Sequence, residues 1–191
     1  PTADAPTTKF DTLSPATQQL LQPFLVPPAY IGSWANPAQP GVTAQTTPPI
    51  CPALAAWSFI DATGTTPVRV WYRQGTADNI RAASVASFVQ SQVWPKFSGL
   101  LRSHVPLSDL AESCNGGDGR LDIYIVGGLG NINGYADTYR GCRNTPSFLV
   151  VTRTAPNRTI AHELFHAFQY SFAIQGCLTS ADYNWWTEGS A

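Results

Sequence analysis

Ten of the sixteen prolines fall within the first fifty residues, in stretches such as Pro27-Pro28, Pro37 to Pro40 and Pro48-Pro49. Proline fixes φ and carries no backbone N–H, so helix and sheet interiors are both discouraged there. Residues 1–50 are therefore expected to form an extended N-terminal arm or a propeptide remnant, and the folded unit to occupy 51–191. One short amphipathic helix is expected in the arm, from about Ser14 to Phe24, where Leu13, Leu20, Leu21 and Phe24 have suitable spacing. A chain of 191 residues has room for one ordinary domain with its own core.

Beyond the arm the hydrophobic period alternates between two and about 3.6 residues. Val68, Val70 and Tyr72 alternate with Arg69, Trp71 and Arg73, as in a strand with one buried face. Asp78 is then placed to cap a long helix with apolar positions Ile80, Val85, Phe88, Val89, Val93, Phe97, Leu100 and Leu101, kinked at Pro95 and packed on the sheet. Arg120 to Val126 alternates again and runs into the Gly-rich stretch Gly127 to Gly134. Pro146 opens the β-forming run Phe148 to Val151, and Asn157 or Thr159 starts the next helix.

Eleven basic against twelve acidic residues leave no field to attract nucleic acid or an anionic membrane. Charged residues are only 12% of the chain, about half the usual share, and the polar balance suits a secreted, extracellular protein. No apolar run reaches the roughly 20 residues of a membrane span, and these residues hold no charged-then-apolar signal pattern, any targeting peptide being expected to have been removed already. The chain starts at Pro1 and has no methionine, which points to a processed or engineered start. Cys51, Cys114, Cys142 and Cys177 include no CxxC pair, which disfavours a cysteine zinc site and favours two disulfides. Of the three possible connectivities, Cys51 to Cys114 with Cys142 to Cys177 is the expected one.

His162-Glu163-Leu164-Phe165-His166 is an HExxH sequence. On a helix, residues four apart share a face, so both imidazoles can reach one Zn²⁺, while Glu163 stands ready as general base for a metal-activated water. HExxH also arises by chance in unrelated helices. Here, however, it takes two of only three histidines, and Ile160, Ala161, Leu164, Phe165, Ala167 and Phe168 mark the helix as a buried one. Two histidines and a glutamate are costly inside such a helix unless something, most simply a metal, satisfies them. The metzincin continuation fails, with Gln169 where glycine is needed and Phe172 where the third histidine would be.

Downstream, Glu188 lies in Trp185-Trp186-Thr187-Glu188-Gly189-Ser190-Ala191. With this phrase the chain resembles the gluzincin metallopeptidases, in which a glutamate on a second helix, often within W-x-x-E-G-x-A, completes the zinc site; the finer likeness is to the bacterial peptidase-MA-like group. The resemblance implies Zn²⁺ held by His162, His166 and Glu188, with Glu163 catalytic. It implies an α+β zincin-like N-terminal catalytic subdomain, a mixed twisted sheet with a long backing helix and the HExxH active-site helix. It also implies an edge strand that grips extended peptide, placed at Asn131 to Tyr139 with Gly134, Tyr135 and Ala136 as substrate-binding residues; an ordinary Gly-rich turn is the competing reading. In gluzincins a C-terminal subdomain supplies the other wall of the cleft and the oxyanion group. This chain ends three residues after Glu188, so a truncated or processed fragment is expected and no oxyanion residue is assigned.

Asp182 is a weaker candidate for the third ligand. Asn115 to Asp122 echoes a calcium loop, but Cys114 and Gly116 stand where oxygen ligands belong, so a turn is expected. Asn157-Arg158-Thr159 is a glycosylation sequon if the source glycosylates. His104 reads as a solvated helix-end histidine, and Gln169 as a packing residue or a support behind the metal ligands. The expected activity is zinc-dependent peptide-bond hydrolysis on a peptide or protein substrate. The rival is a non-catalytic zinc-containing module that binds peptide or glycan.

Overall fold

The computed structural model describes residues 14–21, 56–102, 104–139 and 144–172. The boundary expected at residue 50 lies outside them. The fold is mixed α/β. Strands β1 (Trp57–Asp61), β2 (Val68–Arg73), β3 (Leu121–Val126), β4 (Gly134–Thr138) and β5 (Ser147–Thr152) form one five-stranded sheet in the order β1-β2-β3-β5-β4. The three middle strands run parallel, while β1 is antiparallel to β2 and β4 to β5.

Parallel strands are normally covered on both faces, and that corrects the alternating pattern expected of β2 and β3. Every residue of β3 and β5 is buried, as are the first four of β2. On one face Val68, Val70, Ile123, Ile125, Leu149 and Val151 pack against the helices. On the other, Trp57, Trp71, Tyr124 and Phe148 form an aromatic layer, with Cys114 packed into it. Strand β1 was not expected from the sequence. It forms a hairpin with β2, closed by the Ala62 N–H donating to Val68 O at 3.0 Å, with Gly64 at φ +72° in the turn.

Helix α1 (Pro15–Leu21) starts where expected, with the Ser14 hydroxyl accepting the Thr17 N–H at 3.2 Å. The long helix is α2 (Asp78–Phe88), a π segment at Val89–Val93, and α3 (Trp94–Leu100). Pro95 has no N–H to offer the Ser91 carbonyl, and the helix widens into the π segment just before it. Asp78 is the first helical residue and not the cap; it is buried and paired with Arg153 at 3.1 Å. Two expected core positions are on the surface, Ile80 at 73% and Leu100 at 71% exposure. The face of α2 that meets the sheet is made of Ala82, Val85 and Ala86, and Ile80 points the other way. Helix α4 (Asn157–Tyr170) follows β5 and packs on β4 and β5 with Ile160, Leu164, Ala167 and Phe168 in the core.

Two buried acids lie on the aromatic face. Asp122 accepts from Trp71 Nε1 at 2.8 Å and from the Tyr124 hydroxyl at 2.9 Å, and burial pushes its carboxyl up to about 7. Burial, and then the charge of Asp122, push Asp109 up to about 8, although Tyr139 donates to it at 3.2 Å. Both acids hold their protons more tightly folded than unfolded. Their contribution to stability is therefore fully present below about pH 4 and is lost as pH rises through 7 to 8, with a slope of at most about 1.4 kcal/mol per pH unit for each group. Denaturant melts between pH 4 and 8 should show falling stability, and Asp122→Asn should flatten the profile. A profile identical to wild type in that variant would contradict the assignment.

Candidate metal centre

Helix α4 is seated on the sheet edge at both ends. A Cβ on Gly134 would lie 3.1 Å from Thr159 Cγ2, so the strand meets the first turn of the helix where it has no side chain. At the other end Thr145, two residues before Ser147, donates its N–H to Tyr170 O at 3.2 Å, and Ser147 pairs with Thr138. Thus α4 and β4 run in the same direction, and a rise of about 1.5 Å per helical residue against about 3.4 Å per strand residue puts the turn from His162 to His166 opposite the middle of β4.

Within that turn, His162 and His166 bring their Nε2 atoms to 3.0 Å. The rings stand nearly perpendicular, with centroids 4.6 Å apart. On the far side of His166, Nδ1 lies 2.7 Å from Gln169 Oε1. An amide oxygen only accepts, so Nδ1 carries the proton and Nε2 presents its lone pair toward His162. Tyr170 stacks on His166 at 6.3 Å, and Phe165 meets Phe97 at 5.0 Å, which fixes the helix rotation that presents the histidines. Glu163 and His166 are buried and His162 is half-buried.

The ligand atoms of His162, Glu163 and His166 all lie within 4.8 Å of one another, and this is the one group of three such side chains found among the described residues. The set fits zinc. Bonds of about 2.0–2.1 Å from imidazole to a tetrahedral Zn²⁺ put the two nitrogens about 3.3 Å apart, close to the separation found here. Gln169, expected as packing or as a support behind the ligands, touches the outer nitrogen of His166, the arrangement that fixes tautomer and ring angle in metal sites.

The expected third ligand Glu188, its neighbours Trp185 and Trp186, and the weaker candidate Asp182 all lie outside the described residues. Gly134, Tyr135 and Ala136 do not form a turn; they begin the edge strand β4, within the stretch proposed for one. The three do not share a surface. Gly134 and Ala136 face α4, whereas Tyr135 packs with the aromatic layer. His104 is exposed but not merely solvated, since it stacks on Phe172 at 4.3 Å. The acids of the calcium-like loop are otherwise engaged, Asp118 with Arg69 at 2.9 Å and Asp122 with Trp71 and Tyr124. Cys114 is disulfide-bonded, and its three possible partners lie outside the described residues. Comparison with protein-family models, with curated proteins and with solved structures finds no match to this chain.

Proposed function

We propose that the chain is a zinc-dependent peptidase of gluzincin type, secreted and built on a zincin-like catalytic subdomain. The observation that carries this reading is the pair of imidazole nitrogens 3.0 Å apart on α4, with Glu163 in the same turn. Support also comes from β4, an edge strand running alongside that turn. His162 and His166 would hold the ion, with Glu188 as the third ligand that the gluzincin resemblance implies. Zn²⁺ in such a site supplies Lewis acidity, polarising a carbonyl and acidifying water.

The chain's own groups do the rest. Peptide adds to the outer edge of β4 through backbone hydrogen bonds, which grip an extended substrate with little demand on its sequence. Glu163 takes a proton from the attacking water and returns it to the leaving amine. Gln169 holds His166 in the tautomer whose Nε2 is free of a proton. Incubation with a mixed peptide library should give cleavage that a chelator stops and zinc restores; cleavage unaffected by chelation would overturn the proposal.

Gln169 gives a second test. Gln169→Ala should weaken zinc binding about ten- to a hundredfold, as loss of a partner to a ligand's outer nitrogen does in other metal sites. Competition with a chromophoric chelator measures it, and unchanged affinity would detach Gln169 from the site.

A further inference from the structure

Asp137 sits in the strand that would receive substrate, and nothing described so far uses it. Residues two apart on a strand share a face. Tyr135 and Tyr139 both pack on the aromatic face, so Asp137 between them belongs to that face, away from α4. Its carboxylate accepts the Thr138 N–H at 2.8 Å. No lysine, arginine or histidine among the described residues forms an ion pair with it, whereas Asp61, Asp78 and Asp118 each have an arginine. Burial pushes the Asp137 carboxyl up to about 6, although the Thr138 N–H draws it down, so an arriving cation would gain more here than at a solvated acid. It also lies in the middle of β4, the part of the strand that runs opposite the His162 to His166 turn.

We propose that Asp137 is a specificity-determining residue that selects extended peptides carrying lysine or arginine near the scissile bond. This rests on the peptidase reading above. A peptide added to the outer edge of β4 places a side chain directly across from Asp137, where neighbouring strands bring Cβ atoms to about 4.5–5.5 Å. A basic side chain there forms a charge-assisted hydrogen bond with the carboxylate, and the flanking tyrosine rings favour the same cation. An acidic residue at that position meets like charge and is rejected.

The test is cleavage-site profiling of the zinc-loaded full chain on a peptide library, read by mass spectrometry. Wild type should enrich lysine and arginine about tenfold at one position close to the cut, in line with a charge-assisted bond gained in a half-buried site. Asp137→Asn should bring that enrichment close to one, and Asp137→Lys should shift it to aspartate and glutamate. A readout free of turnover is the affinity of the Glu163→Gln protein for a lysine peptide relative to its norleucine analogue. The ratio should fall to about one when Asp137→Asn is added. Cleavage with no basic enrichment, or enrichment that survives Asp137→Asn, would overturn this inference alone. No cleavage of any peptide would overturn the peptidase reading and this inference with it.

Discussion

Glu163→Gln is expected to lower peptide hydrolysis by about 10²- to 10⁴-fold, the range set by loss of a positioned acid–base group, while the protein keeps its zinc. The substitution preserves the shape of a side chain that is buried on α4 beside both histidines and removes only its ability to take a proton. Zinc content by atomic emission and kcat on a library-derived peptide measure the two halves separately. Turnover within a few-fold of wild type would remove Glu163 from the chemistry. Loss of zinc together with activity would make it a ligand instead of a base.

The second large effect concerns the seat of the helix. Phe168 is fully buried two residues beyond His166, against Trp94 at 5.1 Å and Phe97 at 5.6 Å. Both partners belong to α3, the segment that resumes after the π turn before Pro95. Phe168→Ala should cost about 3–5 kcal/mol of stability, combining lost burial with a cavity that the sheet below cannot fill. Zinc affinity should fall as well, because the same packing fixes the rotation that presents His162 and His166. Urea denaturation measures the first effect, and a change below about 1 kcal/mol would place Phe168 outside the supporting core.

Much of this frame is legible in the sequence because its signals are local. The β-forming run at Phe148 to Val151 and the helical spacing around HExxH each declare an element within a few residues. What stays hidden depends on distant partners. β1 exists because it pairs with β2 across a turn, a contact between Trp57 and Arg73 that no local period encodes. Asp122 falls on the expected polar face of β3, yet it is buried because Trp71 and Tyr124 from the aromatic layer close over it and bond to it. Ile80 reads as a core residue, but small side chains on α2 let the helix lie close to the sheet and leave Ile80 outside. At the site, the i, i+4 spacing predicts that two imidazoles meet. That Gln169 orients one of them follows only from the folded chain.

The central claim is that His162 and His166 hold a catalytic zinc. Zinc-edge X-ray absorption of the protein loaded with one equivalent of Zn²⁺ tests it most directly. The account predicts two imidazole nitrogens and a remainder of oxygen donors, with both nitrogens lost in the double variant His162→Ala and His166→Ala. Sulfur in the coordination shell, or an unchanged spectrum in the double variant, would contradict it.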